Sequence, residues 1–156
     1  MHFMSNRRKA FGHGSIMIIK RSLISLFLFL SLFAAYAIAG QSPEQSARQA
    51  AESWLALTDS GKYAESWNQA GDIFRLAITK DQWIKTIHAV RGPLGKLLSR
   101  SLRSAEFTTT LPGAPDGQYV VIQYQTVFEK KRAAIETITP MLENDGKWRV
   151  SGYYVK

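Results

Sequence analysis

The sequence contains no cysteine, and this absence removes several kinds of chemistry at once. Without cysteine a protein has no disulfide bond, no thiolate ligand for a metal and no thiol nucleophile. It also has no cysteine to carry a lipid anchor. A chain of 156 residues is long enough for one domain, which must therefore be held together by the burial of apolar surface.

Histidine is also scarce, since only His88 of the three histidines lies beyond residue 39. One histidine among scattered carboxylates lacks the ligand spacing of a metal site, so we predict no metal and no cofactor. The Gly-x-Ser-x-Gly, His-Glu-x-x-His and Ser/His/Asp arrangements are missing too, and no catalytic residue is assigned. His88 would serve as a general base only if the fold brought a carboxylate close, for example that of Asp72, Asp81 or Glu106.

Residues 1–39 have the composition of an export signal. Lys20 and Arg21 precede the apolar run Leu23–Phe33, and Ala37-Ile-Ala39 supplies the small residues of a cleavage site. We expect cleavage after Ala39, which leaves one domain of residues 40–156 in the periplasm or outside the cell. An uncleaved anchor helix is the alternative, because the apolar run is near the short limit for crossing a bilayer. Contact with a membrane is predicted only through this segment, before cleavage.

The net charge of +8 comes mainly from this signal. Five of the 20 Lys and Arg residues, and none of the 12 Asp and Glu residues, precede Ala39, so the rest carries 15 cations against 12 acids, or +3. Residues 1–16 are interpreted either as an overlong basic start of the signal or as the product of an upstream start, since Met17 would begin a more ordinary signal. The domain itself is therefore not strongly basic, and we predict no nucleic-acid partner.

Three helices are predicted at the start of the domain. The first begins with a capping box of Ser42 and Gln45, and an apolar stripe at helical spacing follows as far as Thr58. The second helix covers residues 62–70. The third begins with the capping box Thr79–Gln82 and continues to about residue 91. Residues 72–78 are ambiguous and are interpreted as a short turn of helix.

The segment Arg91–Ser101, RGPLGKLLSRS, resembles a phosphate loop only in composition. A phosphate loop needs four residues between its glycines and a hydroxyl directly after the lysine. Here two residues separate Gly92 from Gly95, and Leu97 follows Lys96. The segment is therefore interpreted as a helix end followed by the entry to a strand.

This interpretation assigns a role to each of five residues. Gly92 is predicted to take the left-handed conformation that closes a helix, and Pro93 to prevent its continuation. Arg91 is expected to meet the carbonyl end of its own helix, and Arg100 and Arg103 to line the next strand. Anion binding by these arginines is the alternative.

After the helices the apolar pattern takes a period of two, which indicates strands. Asn144-Asp-Gly146 is a strong hairpin turn, and Pro140 indicates an edge strand or a bulge. The predicted strands cover residues 101–111, 119–129, 134–142 and 148–155. Helices followed by an antiparallel meander predict an α+β class, with three N-terminal helices packed on a curled four-stranded sheet. Such a sheet forms a half-open cone, as in cystatin-like and NTF2-like folds.

The aromatic residues are assigned either to the core or to a pocket. Four tryptophans at core-facing positions are expected to be buried: Trp54, Trp67, Trp83 and Trp148. Tyr153 and Tyr154 point to opposite faces of one strand, so one of them joins Tyr124 in the concave pocket if the sheet curls. Ordinary packing is the alternative. The candidate ligand-binding residues are Tyr124, Tyr153, Tyr154, Arg91, Arg100 and His88.

Four stretches carry a resemblance to a known family. They are GKYAESW, TKDQWIKTIHAVRGPLGKLLSRSL, YVVIQYQTVFE and GKWRVSGYYV, in that order. Together they resemble a family of secreted bacterial domains of unknown function, in which a Gly-x-Tyr-x-x-x-Trp helix pair precedes a tryptophan-containing helix. The family's Arg-x-x-x-Gly-x-x-x-x-Arg segment corresponds to Arg91, Gly95 and Arg100. The resemblance implies export and a small α+β fold, and it implies no reaction.

Three classes of function remain open. The first is an exported non-enzymatic module that binds a small ligand or a protein of the cell envelope. The second is a cone-fold enzyme that uses His88 or a carboxylate in its pocket, by analogy of fold alone. The third is an envelope scaffold that presents its sheet for assembly. A buried carboxylate–histidine pair in a roomy pocket would favour the enzyme, and a filled, dry cone with an apolar outer patch would favour the scaffold.

Overall fold

The computed structural model describes residues 40–156, so the predicted signal and its cleavage site at Ala39 lie outside the described residues. Residues 41–156 form one compact unit that contains a complete apolar core. Its helices are α1 (Pro43–Asp59), α2 (Tyr63–Gln69), α3 (Asp72–Ala77) and α4 (Lys80–Arg91). Its strands are β1 (Leu97–Thr108), β2 (Tyr119–Phe128), β3 (Ala134–Leu142) and β4 (Trp148–Val155).

The α+β class and the antiparallel four-stranded sheet are confirmed. The strand order is β1-β2-β3-β4, so each strand pairs with its neighbour in sequence. The number of helices was predicted wrongly, because residues 40–156 contain four α-helices rather than three. The additional helix is α3, a six-residue element in the stretch that the sequence left ambiguous.

Both predicted capping boxes are present. The Ser42 hydroxyl accepts the Gln45 N–H, and the Gln45 side chain accepts the Ser42 N–H in return. Thr79 and Gln82 make the same reciprocal pair at the start of α4. These pairs satisfy N–H groups that the first turn of a helix otherwise leaves without partners, so they fix where α1 and α4 begin.

The end of α4 differs from the prediction. Gly92 is right-handed, with φ −55°, and opens a short 3-10 helix (Gly92–Leu94) that contains Pro93. Proline is tolerated there because the N–H that it lacks has no obligatory partner in a first turn. The left-handed residue is instead Gly95, with φ +75°. β1 therefore begins at Leu97, ahead of the predicted start at Ser101.

Three irregularities interrupt the pairing of the strands. β1 shifts register against β2 between Leu97 and Ser99 and again between Leu102 and Ser104. β3 shifts against β4 between Thr139 and Pro140, which confirms that Pro140 marks a bulge. Because β3 is a central strand, a bulge is the place where a residue without an N–H disturbs the ladder least.

The helices pack on one face of the sheet and enclose an aromatic core. Trp54 and Trp83 are 2% and 5% exposed, and their ring centroids lie 5.6 Å apart. Phe74 packs edge-on against both indoles, and the Tyr153 ring lies 5.4 Å from Trp54. The indole N–H groups of Trp54 and Trp83 both donate to Ser66. Trp67 and Trp148 are partly buried against this core, so all four tryptophans contribute to it.

Candidate functional site

Beside the aromatic core, the inner face of the sheet carries a buried cluster of charged residues. Asp59 is the last residue of α1 and Arg91 the last of α4, so the C-terminal ends of two helices meet there. Arg100 on β1 and Glu136 on β3 reach the same point from the sheet. We call these four residues and Tyr153 of β4 the ion network.

Glu136 lies at the centre of the ion network and is completely buried. Its Oε2 accepts hydrogen bonds from Arg100 Nε at 2.6 Å and from the Thr126 hydroxyl at 2.6 Å. Its Oε1 accepts from the Tyr153 hydroxyl at 2.6 Å, from Arg100 Nη2 at 3.1 Å and from Arg91 Nη1 at 3.2 Å. Both carboxylate oxygens are therefore fully engaged with donors of the protein itself.

Asp59 holds the same two guanidinium groups from the helix side. Its Oδ1 accepts from Arg91 Nη2 at 2.6 Å and from Arg100 Nη2 at 3.0 Å, and its Oδ2 accepts from Arg100 Nη1 at 2.7 Å. The Arg91 guanidinium also lies over the Phe128 ring, 4.6 Å from its centroid. Two carboxylates thus balance two cations in a site from which water is largely excluded.

The protonation states in the network follow from these contacts. Burial lowers the pKa of Arg100, but hydrogen bonds to Asp59 and Glu136 outweigh burial, and the net effect raises the pKa. Burial, followed by the negative charge of Glu136, raises the pKa of the Tyr153 phenol above its ordinary value. Tyr153 is therefore held as a neutral hydroxyl that donates to Glu136, and Arg100 remains a cation.

The network has no free group with which to perform chemistry. Across residues 40–156, no buried side-chain nitrogen or oxygen lacks a hydrogen-bond partner. The same residues contain no group of histidine, aspartate and glutamate side chains that could hold a metal ion. The network therefore joins α1, α4, β1, β3 and β4 into one structure, and its charges are already matched by one another.

The six predicted pocket residues are only partly brought together. Arg91, Arg100 and Tyr153 meet in the ion network. Tyr124 is buried in the aromatic core, where burial and the nearby Glu52 carboxylate raise the pKa of its phenol to about 12. The expected contact of Arg91 with the carbonyl end of its own helix is replaced by its ion pairs with Asp59 and Glu136.

The other two predicted pocket residues lie at the surface. His88 is exposed, with its ring 6.4 Å from the Tyr63 ring, beside a depression of about 250 Å³ whose wall includes Lys96 and Glu129. Within the described part of the chain, the His88 side chain makes no hydrogen bond and no ion pair. Tyr154 points away from the core and is 60% exposed.

Sequence reasoning missed the two carboxylates of the network. For Glu136 a signal exists, since it shares the inward register of β3 with Ala134 and Ile138, both of them completely buried. A charged residue at a buried strand position needs an opposite charge, which indicates Arg91 or Arg100. For Asp59 the sequence offers no comparable signal, because acidic residues at helix ends are usually solvated.

A depression of about 540 Å³ is lined by three carboxylates and two guanidinium groups. It lies between α3 and the β3–β4 turn, where Arg149 pairs with Glu143 and Asp145, and Arg75 pairs with Asp72. Glu143 also accepts the Asp72 N–H at 2.6 Å. These contacts fasten α3 to the hairpin, and each carboxylate and guanidinium of the depression has a partner of opposite charge.

The outward face of the sheet is different, because its centre carries no charged side chain. Neighbouring residues in a strand point to opposite faces, so residues next to Ile122, Tyr124 and Ile138 of the core point away from the helices. We call this surface the outer patch. Its members are Ser101, Ser104, Val121, Gln123, Gln125, Ile135, Thr137, Thr139 and Tyr154.

None of the outer-patch residues is buried, whereas the core residues that alternate with them are. Charged residues lie at the border of the patch, where Glu106 pairs with Val121 and Lys156 pairs with Ile135, and where Arg149 is already paired with Glu143. The helices of residues 40–156 pack on the other face, where all the buried aromatic rings of the core lie. The outer patch is therefore a surface with an uncharged centre and a charged border that the fold leaves open.

These features define a small α+β domain with a filled core and a buried ion network. A family described as "Protein of unknown function (DUF4019)" matches residues 50–153. The chain belongs to this family, and the match includes the ion network and most of the outer patch. No curated protein matches the chain significantly. None of the helices α1–α4 of the described residues is long and apolar enough to cross a bilayer.

Proposed function

We propose that this domain is an exported, non-enzymatic binding module that takes its ligand or partner on the outer patch. The observation that carries the proposal is the contrast between the two faces of the sheet. Beneath the helices the inner face is filled by the aromatic core and by the ion network, and every buried polar atom of the described residues has a partner. At the β1 edge of this face Leu102 and Phe107 remain 44% and 40% exposed. No observation supports a ligand chamber beneath the helices, whereas the outer patch is open and its centre is uncharged.

Export is part of the proposal and depends on the signal-like residues 1–39, with Lys20-Arg21, the apolar run and Ala37-Ile-Ala39. The order of helices followed by an antiparallel meander supports a fold of the cystatin-like or NTF2-like kind. The enzyme alternative lacks a specific supporting contact, because His88 is joined to no carboxylate within the described domain. A binding role is the function that the geometry supports best.

The absence of cysteine makes a direct test possible. Gln125→Cys places one unique thiol on the outer patch, and Lys85→Cys places a matched thiol on the exposed surface of α4. Each variant is labelled with a water-soluble maleimide, first in intact cell envelopes and then as the purified domain of residues 41–156. We expect residue 125 to react several-fold more slowly in the envelope than in the purified domain, and residue 85 to react equally in both.

This comparison contains its own control for folding and for reagent access. If both thiols react equally well in the envelope, the outer patch is unoccupied there and the proposal is wrong. If residue 85 alone is protected, the binding surface lies on the helical side, and the proposal is also wrong.

A further inference from the structure

We infer that the domain has a second binding site, a groove between α4 and the free edge of β4 that takes an extended segment of a partner protein as an added strand. The sheet of residues 40–156 ends at β4, which pairs only with β3. Beside its last residues lies a depression of about 220 Å³, which we call the edge groove. Its walls are residues 153–155 of β4 and, from α4, Trp83, Thr86, Ile87 and Val90. Only Tyr154 also belongs to the outer patch, so the two sites are separate.

The main chain at this end of β4 has open donors and acceptors. Lys156 exchanges two hydrogen bonds with Ile135, at 3.1 and 2.9 Å, so these residues form a hydrogen-bonded pair. Such pairs alternate with non-hydrogen-bonded pairs along an antiparallel ladder, so Tyr153 and Val155 turn their N–H and C=O groups away from β3. No hydrogen bond from a loop or helix of residues 40–156 reaches these four groups. Open main-chain groups at a sheet edge are the surface on which a further strand forms.

The other parts of the two sheet edges are obstructed. Nearer the start of β4, the Val150 carbonyl accepts the Gly71 N–H at 2.8 Å, so the residue before α3 closes that part of the edge. β1 forms the opposite edge, but two register shifts interrupt its pairing with β2. Bulges of this kind twist an edge away from regular pairing. The regular stretch 152–156 of β4 is therefore the part of the edges best able to accept a strand.

The side chains of an added strand would enter the edge groove at every second residue. Tyr153 faces the helices, with its ring 6.5 Å from that of Trp83, and Val155 lies two residues further along on the same face. Residues of an added strand that pair with these two direct their side chains to that face, towards Val90 of α4. The matching segment therefore carries apolar side chains at positions i and i+2.

The size and polarity of the edge groove favour a polypeptide over other ligands. Its lining side chains carry no charge, and Lys156, the charged residue that follows on the strand, is exposed and remains in water. At about 220 Å³ the groove is smaller than the roughly 300–1,000 Å³ typical of sites that enclose a small molecule. An acyl chain would cover the N–H and C=O groups of Tyr153 and Val155 without bonding to them. An extended polypeptide satisfies both these groups and the apolar wall.

The test uses blocked synthetic peptides about seven residues long, the length of an ordinary strand, in which threonine alternates with two apolar residues at i and i+2. The apolar residues are drawn from valine, leucine, isoleucine, phenylalanine and tyrosine. We expect at least one peptide to bind the purified domain of residues 41–156 and to change its tryptophan fluorescence, since Trp83 lines the groove. Bound peptide should slow hydrogen exchange of the Tyr153 and Val155 amides about tenfold or more, and leave the Tyr154 amide, which faces β3, little changed.

N-methylation supplies a matched pair of peptide controls. The amides of the two apolar residues face β4, because these residues form hydrogen-bonded pairs with Tyr153 and Val155. Methylating both amides should therefore weaken binding about tenfold or more. Methylating the threonine between them, whose amide points away from β4, should leave binding within about threefold of the parent peptide.

Two protein variants locate the site. Val155→Pro removes an N–H at the free edge, where proline is tolerated, so it should keep its urea midpoint and lose binding. Val155→Ala keeps this N–H and should still bind. Val90→Asp, at a 40% exposed position on α4, should also abolish binding because it puts a charge against the apolar side chains of the peptide. Leu76→Asp, at an exposed apolar position on α3, is the matched control and should bind as wild type.

The possible results separate the occupants. If no peptide slows exchange at Tyr153 and Val155, or if binding survives methylation of the apolar residues, the edge groove is not a strand site and the inference is wrong. If both amides are already protected in the free domain and dilution exposes them, the occupant is a second copy of this chain, which also overturns the inference. Neither result bears on the outer patch, which the labelling of Gln125→Cys tests separately.

Discussion

Removing the central charge of the ion network should destabilise the domain strongly. In Glu136→Gln the side chain keeps its shape, but Arg91 and Arg100 are left with only Asp59 as a counter-ion. The amide nitrogen of the new glutamine is a donor, and it would face groups that now donate to Glu136, among them Arg100 Nε at 2.6 Å. The Thr126 and Tyr153 hydroxyls can turn to become acceptors, but a guanidinium cannot.

The expected cost follows from the burial of this group. Glu136 is completely buried, and breaking a buried ion pair by neutralising one partner typically costs about 3–5 kcal/mol. Since a domain of this kind is stable by roughly 5–15 kcal/mol, the loss would be a large share of the free energy of unfolding. The control is Glu65→Gln, which removes an exposed pair with Lys62 and should change the free energy by less than about 1 kcal/mol.

Urea unfolding of the domain of residues 41–156, followed by tryptophan fluorescence, measures both variants. Trp54 and Trp83 are buried in the core that the network adjoins, so their emission reports unfolding. A lower midpoint at an unchanged slope would assign the effect to stability. The reasoning would be refuted if Glu136→Gln unfolded at the same urea concentration as Glu65→Gln.

Three further predictions concern other parts of the chain. Gly95→Ala should lower the free energy of unfolding, measured in urea, by on the order of 1–2 kcal/mol. The reason is that φ is +75° at this residue and that a Cβ would lie 2.9 Å from the Glu129 Cβ. Gly92→Ala should be neutral or slightly stabilising, because Gly92 is right-handed. Equal midpoints for these two variants would contradict the assignment of Gly95. Folding raises the pKa of Tyr153, so the protonated phenol stabilises the fold fully at neutral pH. This contribution is lost as the pH rises above about 10, where the tyrosine of the unfolded chain ionises. Tyr153→Phe should reduce this alkaline loss of stability, and an unchanged pH profile would refute it. N-terminal sequencing of the exported protein should begin at Gly40, and a mature form that retains the apolar run would disprove cleavage.

Local features of the fold could be predicted from the sequence because their causes are local. The capping boxes at Ser42 and Thr79 require only residues three positions apart, and the alternation in β2 requires only a period of two. The bulge at Pro140 follows from the missing N–H of proline. In each case the interacting groups lie within one element, so the sequence contains the whole cause.

The errors at the end of α4 have a non-local cause. Pro93 led to the prediction of a helix stop at Gly92, but a 3-10 turn accommodates proline in its first positions. The left-handed residue is Gly95, where the chain passes close to Glu129, whose carboxylate accepts the Lys96 N–H at 2.9 Å. The pairing of β1 with β2 brings Gly95 close to Glu129, and the residues around Gly92 do not indicate this pairing.

The ion network is the extreme case, because its members come from five different elements. Arg91 and Arg100 were identified as candidate anion-binding residues, and the anions they bind are Asp59 and Glu136 of the same chain. Sequence alone could not distinguish an external anion from an internal one, since that depends on which carboxylates the fold brings into the site. The residue types indicated the chemistry, and only the fold identified the partners.

A double variant can test whether the balance of charge, rather than any one contact, stabilises this centre. Arg100→Gln removes one cation and should destabilise by about 3 kcal/mol or more, since it leaves Glu136 and Asp59 with only Arg91. Combining it with Glu136→Gln leaves Arg91 and Asp59 as a balanced pair, 2.6 Å apart. The double variant should therefore lose less stability than the sum of the two single losses, by on the order of 1–3 kcal/mol. If the urea data give strictly additive losses, the two residues act independently, and the network is a set of separate contacts rather than one neutral unit.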